Sequence, residues 1–542
     1  MSSSLLPGCT ILVLAALPAL ANYPEDAGYT QLKAELGAAL PTGSGVDMTQ
    51  VEAGAAGAYM PDAGSGTFAG TGFWAGKTFT AKSGASVVTD HPYRVAQYMY
   101  GDATGIPWAN TSMCPGVVFV DCYTANAWAF DGAPNYSFLA PTSSRIDPLV
   151  ENRAVQNHSW VYNANAANPG EPAYVNDLVR RQDFSINRDN YVCCVGLNNG
   201  DLSVCPDLFA AAYNVISVGL TNGLHSRGGT TSDMDGTGRR KPEIVAAVDP
   251  ANAATSFSTG YVSSAAGLLL AKANTMIPNS ARHAKTIKAV LLAGATKEEF
   301  PGWAKTATDP IDAIYGAGEM NIYNSYHILD GGEQAVNAAG DATSRAYFGW
   351  DMNSIIGSAT ADYRLNIPAG AYGTELSAFI VWHRTLTDSN PLPLVFTLAP
   401  DTLVNYNLTL FRDPAAGGTA VTIDSSTSTI YNLEHVWKKD LPAGNYRLRV
   451  SRTSGATQEY SIAWRLSTAP HQPQPLMVTA GSNYNFTFPG LLIGQPYKFQ
   501  SSPDLVTWTD IESFTASTTS TTRVLARPAT PRLLYRLLPV LP

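Results

Sequence analysis

The chain changes texture with the rhythm of its apolar positions. In its first part, short unbroken apolar runs are closed by Gly, Asp or Asn, as in Val117-Val118-Phe119-Val120 and Tyr191-Val192-Cys193-Cys194-Val195-Gly196. A strand buried on both faces needs such runs, so the pattern predicts a parallel sheet. Residues 43–54 alternate and end in small residues, which predicts a strand leading into a loop. The Gly- and Thr-rich residues 54–84 read as surface loops. From Thr255 to Ala271 hydroxyl residues give way to small and apolar ones with no charge, the pattern of a helix covered on most sides.

From about residue 335 the period becomes two. Leu376–Trp382, Tyr406–Phe411 and Asn445–Val450 alternate apolar and polar between Asp, Gly and Pro turns, which predicts antiparallel strands with one wet face. Residues 335–468 are expected to form a β-sandwich and 476–542 a small all-β C-terminal domain. His471-Gln472-Pro473-Gln474-Pro475 is expected to link them.

Composition narrows the function classes. The 542 residues suffice for two or three domains. Charged residues make up 14% and the formal net charge is −9, with no Lys/Arg-rich patch, so nucleic acid is not an expected partner. The apolar run Ile11–Leu17, followed by Ala19-Leu20-Ala21, reads as a signal peptide over residues 1–21 with a mature start near Asn22, although its n-region lacks Lys and Arg. The run is short for a membrane span and no other stretch is long enough, so the expectation is an exported protein, secreted or at the cell surface, with no transmembrane span in the mature chain. Of the six Cys, Cys9 would leave with the signal. Local spacing makes Cys114–Cys122, and Cys193 or Cys194 with Cys205, plausible bridges, and sequence leaves the connectivity open. No zinc-like spacing with nearby His is present, so no metal site is assigned.

Candidate chemistry centres on Ser256. A Ser at a helix N-terminus suits a nucleophile, because free N–H groups favour developing negative charge there; an ordinary N-cap Ser belongs in the same place. Arg240-Lys241-Pro242-Glu243-Ile244-Val245-Ala246-Ala247, then Ala254-Thr255-Ser256-Phe257-Ser258, resembles the nucleophile region of subtilisin-like serine peptidases, "KPD(L/I)VAPG" followed by "GTSMAAPHVAG". Ala254, Gly260 and Tyr261 depart from that pattern. Gly43–Gly54 resembles the family's first catalytic segment, its Asp falling on Glu52; Glu can orient an imidazole too, but is one methylene longer. Thr89-Asp90-His91-Pro92-Tyr93-Arg94-Val95-Ala96 resembles "HGTHVAG", with His91 as base and Pro92 tolerable in a first helical turn. Asp90 is a rival acid, although sequence neighbours rarely address one ring.

The resemblance continues downstream. Ala154–Trp160 falls where the family has a strand and turn beside the cleft, an edge along which extended substrate pairs. His158, Ser159 and Trp160 are therefore substrate-cleft candidates, with local packing as the plainer reading for His158 and Trp160. Val195-Gly196-Leu197-Asn198-Asn199-Gly200 resembles "VAAAGNEG". Asn198 would then serve the oxyanion hole, with Asn199 the alternative if the register slips and a simple turn the non-catalytic reading. Tyr213–Gly219, Ile287–Thr296 and Tyr315–Asn321 resemble later family segments, so the likeness spans about residues 43–330.

The implied fold is α/β: a subtilisin-like parallel-sheet catalytic domain flanked by helices (22–334), followed by the two β domains. The implied activity is that of a secreted serine endopeptidase acting on a protein or peptide substrate through a Glu-His-Ser triad; Tyr497–Trp508 resembles a module found at the ends of many exported bacterial proteins, which implies a bacterial source. Residues 22 to about 42 are too short for the folding prodomain such enzymes often carry. No cofactor is required. Relatives often hold structural calcium, but no loop here names its ligands. Oligomeric state is not legible. The rival reading is a catalytically inactive subtilisin-fold binding or matrix protein. An esterase is weaker, because no nucleophile-elbow motif surrounds Ser256.

Overall fold

The computed structural model describes residues 23–540 apart from 54–57, 65–67, 85–86, 107–110, 130–136, 140–146, 163–170, 201–204, 206–207, 233, 358, 389–395, 399–402, 415–417, 472–474 and 529–532. The signal-peptide expectation and most of the proposed linker lie outside the described residues.

Seven parallel strands form the first sheet: β1 (Met48–Glu52), β2 (Thr78–Ala81), β3 (Phe119–Thr124), β4 (Val155–His158), β5 (Val192–Gly196), β6 (Ile216–Leu220) and β7 (Ile244–Ala246). Their order is β7-β6-β5-β4-β1-β3-β2. Helices cover both faces. On one lie α1 (Asp90–Tyr100), α3 (Thr255–Ala273), α4 (Ala284–Gly294) and α5 (Ile322–Asp330); on the other lies α2 (Glu171–Asp189). Alternation within β1 sends Met48 into the first core and Val51 into the second. Gln50 and Glu52, two and four residues on from Met48, therefore face α1 and α3.

Three expectations are corrected here. The loop assigned to residues 54–84 contains the edge strand β2 and the strand Ala58–Pro61, which pairs with Val87–Thr89; Thr-Phe alternation suffices for an edge that is mostly wet. The run beginning at Val117 enters the sheet only at Phe119 and continues to Thr124, because Asp121 is neutralised by Arg153 at 3.1 Å. Finally, β4 is interior, hydrogen-bonded to β1 and β5, and offers no edge along its own length to an extended peptide.

The expected disulfides do not form: Cys114, Cys122, Cys193 and Cys194 are buried thiols. Cys193 and Cys194 are consecutive on a strand and point into opposite cores. Cys114 donates to the Ser264 carbonyl at 2.9 Å.

Beyond the α/β unit, two four-stranded antiparallel sheets share one core. The first pairs Phe348–Ser354, Glu459–Pro470, Ala371–Trp382 and Leu433–Leu441; the second pairs Thr360–Ile367, Gly444–Ser454, Asn405–Asp413 and Val421–Ser426. The first sheet packs on α4, where Arg465 Nε donates to the Ala293 carbonyl at 3.1 Å. Asn432 Nδ2 donates to the Tyr213 carbonyl at 2.9 Å. Two three-stranded antiparallel sheets end the chain around a small aromatic core that includes Phe486, Phe488, Tyr497 and Phe499. His471, expected in a linker, is instead buried with Nε2 2.7 Å from the Tyr497 hydroxyl. Among the described residues no helix is long and apolar enough to cross a membrane.

Candidate active site

The site assembles at the carboxyl ends of β1, β4 and β5, where α/β sheets generally bind ligands. Two close approaches set its dimensions. At Gly260 on α3, an added Cβ would stand 3.0 Å from the Val95 carbonyl on α1. At Gly196, the last residue of β5, it would stand 2.9 Å from Thr259 Oγ1 on α3. A Cβ at Gly196 would force Thr259 to shift and one at Gly260 would press on the Val95 carbonyl, so glycine lets α3 lie tightly against the helix that carries His91 and the strand that leads to Asn198. Phe257 stacks on Tyr98 of α1 with ring centroids 5.5 Å apart, adding an aromatic contact to the same junction.

Glu52, His91 and Ser256, from three distant segments, meet in hydrogen-bonding contact. Glu52 Oε2 lies 2.7 Å from His91 Nδ1, and His91 Nε2 lies 3.1 Å from Ser256 Oγ. A carboxylate can only accept, so Nδ1 carries the ring proton and Nε2 is left to accept from the Ser256 hydroxyl. The Ser256 hydroxyl has a longer alternative, the Ser159 carbonyl at 3.5 Å. Glu52 is 1% exposed and His91 46%: the acid is enclosed and the base faces the opening. The Glu52 hydrogen bond raises the His91 pKa above the ordinary histidine value, against the opposing effect of burial. Asp90 does not compete for the ring; it pairs with Arg94 at 2.7 Å, one turn along α1.

Ser256 is not the N-cap of its helix. That position is Ala254, whose side chain caps nothing, and Ser256 falls in the first turn, half-buried. The cap is supplied from elsewhere: the Thr255 N–H donates to Asn199 Oδ1 at 2.9 Å, and Thr255 Oγ1 donates to the Leu197 carbonyl at 2.6 Å. The Asn199 carboxamide is thereby committed to the start of α3. Asn198 is half-buried, and its backbone is fixed by Ser226, whose hydroxyl accepts from the Asn198 N–H at 3.2 Å and whose N–H donates to the Asn198 carbonyl at 2.9 Å.

The three cleft candidates are enclosed. His158 is fully buried, with Nε2 2.7 Å from Gln156 Oε1 and Nδ1 accepting from the Trp160 indole at 3.2 Å; burial pulls its pKa down to about 3. Ser159 is 3% exposed and acts on the nucleophile's backbone: its hydroxyl donates to the Ser256 carbonyl at 2.8 Å. Asn157 Nδ2 in turn donates to Ser159 Oγ at 2.8 Å, and the Ser263 hydroxyl donates to Asn157 Oδ1 at 3.0 Å. Trp160 is 9% exposed and packs edge-on to Phe209.

Sequence reading passed over Gln50, Tyr100 and Asn157. The spacing of Gln50 and Glu52 carried a signal, because residues two apart on a strand share a face. Tyr100 and Asn157 gave no comparable sign. Among the described residues, no group of three or more His, Cys, Asp or Glu side chains is gathered to hold a metal ion.

No family model matches the sequence, and no curated protein matches it. Solved structures show partial likeness. Fervidolysin from Fervidobacterium pennivorans, a keratinolytic enzyme related to subtilisin, is 12% identical over 93% of this chain and 69% of that one, with a TM-score of 0.36. MycP1 from Mycobacterium smegmatis is 15% identical over 57% of this chain and 86% of that one, with a TM-score of 0.32. Tripeptidyl peptidase 2 is 12% identical over 83% and 51% respectively, with a TM-score of 0.28. Likeness at this level carries no weight for activity, which has to be argued from the side chains themselves.

Proposed function

We propose that the protein is a serine endopeptidase that hydrolyses peptide bonds through an acyl-enzyme. The observation that supports it is the unbroken chain of contacts, 2.7 Å and 3.1 Å, from Glu52 through His91 to Ser256. In this reading His91 Nε2 takes the hydroxyl proton as Ser256 Oγ attacks the substrate carbonyl carbon. Glu52 keeps the imidazole in the tautomer able to receive that proton and stabilises the imidazolium that forms. The oxyanion is bound by the Ser256 N–H, one of the first-turn donors that lacks an intrahelical acceptor, and by the Asn198 side-chain amide. As the tetrahedral intermediate collapses, the amine leaves with the proton held on His91. Water then attacks the ester, His91 takes its proton, and the proton returns to Ser256 Oγ as the acid product departs.

On the same proposal the α/β unit of 22–334 holds the chemistry, and the β units of 335–468 and 476–542 accompany it. The apolar run at 11–17 directs export from a bacterial cell. Casein hydrolysis by the secreted chain and by Ser256→Ala tests the activity: turnover by the first and none by the second is expected. A folded wild-type protein without turnover would favour a binding scaffold.

A further inference from the structure

Behind the Glu52–His91 pair lies a buried carboxamide that the reaction steps above do not use. Gln50 is fully buried on β1, on the same face as Glu52. Its Nε2 donates to Glu52 Oε1 at 2.7 Å and to the Pro92 carbonyl at 2.9 Å. Its Oε1 accepts from the Tyr100 hydroxyl at the far end of α1. One NH2 group therefore holds the acid by its carboxylate and the base through the backbone of the residue after it.

The orientation of this amide has one chemical solution. Turned over, Oε1 would face a carboxylate oxygen and a peptide carbonyl, two acceptors against an acceptor, and Nε2 would lose the Tyr100 proton. The arrangement also answers a geometric need. Glu has one more rotatable bond than Asp, and Glu52 Oε2 must stay on Nδ1. A donor fixed on Oε1 removes that freedom.

We propose that Gln50, locked by Tyr100, is the positioning residue that holds the Glu52 carboxylate and the His91 segment in register for proton transfer. The inference rests on the triad reading above. The charged and titratable groups around the pair are Asp90 and Arg94 on the His91 helix, Tyr100 at its end, and Cys122 on the neighbouring strand. None of them replaces the Gln50 donor. Losing it frees the carboxylate to swing from Nδ1, which removes the contact that holds the His91 pKa up.

The test is the second-order rate of fluorophosphonate labelling of the full chain as a function of pH, in wild type, Gln50→Met and Tyr100→Phe. Gln50→Met keeps the bulk and removes the donor. Its labelling rate is expected to fall about 10- to 100-fold, the scale for losing the partner that orients a functional side chain. Its acid limb should move to lower pH. Tyr100→Phe should move both in the same direction by a smaller factor, and it decides the matter if Gln50→Met does not fold. A purely structural role would change the melting temperature and leave the limb in place; a folded variant with wild-type rate and an unmoved limb overturns the proposal. A wild-type protein that does not label removes the triad reading itself, whereas a labelled wild type with indifferent variants removes only the role of Gln50.

Discussion

Glu52 Oε2 lies 2.7 Å from His91 Nδ1, reached from the last residue of an interior strand with 1% of the Glu52 side chain exposed. The extra methylene is therefore used, not merely tolerated. Shortening the side chain draws the carboxylate back by about 1.5 Å, one C–C bond, beyond hydrogen-bonding reach of the ring. Glu52→Asp is expected to lose about 10- to 100-fold in casein hydrolysis, a factor with room for partial relaxation. Glu52→Gln should lose about 10⁴-fold, because the amide favours the wrong imidazole tautomer. An aspartate variant with wild-type turnover would show that the carboxylate does not orient the base.

The pH profile follows from the same contact. His91 must be neutral to accept a proton, and Glu52 raises its pKa above the ordinary histidine value of 6.5. Activity is therefore lost as pH falls through a midpoint above 6.5. The stability term has the opposite sense: the charged pair stabilises the folded state fully below 6.5, and this contribution fades as pH rises through the raised value. Labelling rates across pH 5 to 9 should place the wild-type limb above 6.5 and the Glu52→Gln limb lower. A wild-type limb at or below 6.5 contradicts the assignment.

Asn198 and Asn199 should separate kinetically. Asn198→Ala removes the proposed oxyanion donor and is expected to cost about 10²- to 10³-fold in kcat with little change in KM. Asn199→Ala releases the cap on Thr255, so its effect should fall on melting temperature as well as on rate, at about 1 kcal/mol for a lost cap. Thermal melts beside steady-state kinetics distinguish them. The reverse pattern would move the oxyanion role to Asn199.

Four histidines away from the triad, with His158, His383 and His435 fully buried and His283 half-buried, should make the fold acid-sensitive. Burial lowers His158 to about 3 and His283 to about 4, and it holds His383 and His435 well below the ordinary value. Each is neutral in the fold and protonates more readily in the unfolded chain. The folded state therefore has its full stability above 6.5 and loses it as pH falls from 6.5 towards 4 and below. The melting temperature should drop across that range, and His283→Asn with His383→Asn should flatten the slope. An unchanged slope in the double variant would exclude these two side chains as its source.

The parts of this architecture that were legible in the sequence are those where one physical demand dominates. The uncharged Thr255–Ala271 run could only be a covered helix, and α3 spans Thr255–Ala273, almost entirely buried. The period-two runs after residue 335 became strands because one face must be dry. Glu52, His91 and Ser256 were legible from motif order, and the structure brings the three into contact. Tertiary context decided the rest. Thr78–Ala81 looked like loop because an edge strand needs little apolar character. The cysteines looked pairable by spacing, but Cys114 and Cys122 stay separate buried thiols, and neither Cys193 nor Cys194 is bridged. His158, Ser159 and Trp160 read as cleft candidates, with local packing the plainer reading for His158 and Trp160, and neighbours from Gln156 to Phe209 pack around those two. Strand spacing puts Gln50 on the Glu52 face, but a buried glutamine has no motif, and its role comes from its three contacts.

The most direct test of the central claim is mass-spectrometric mapping of the fluorophosphonate adduct on the folded wild-type chain, beside His91→Ala. The account predicts a single adduct on Ser256 that is lost, or slowed at least about 10³-fold, when the imidazole is removed. An adduct on another residue, or no adduct on a protein whose fold is intact, would contradict it.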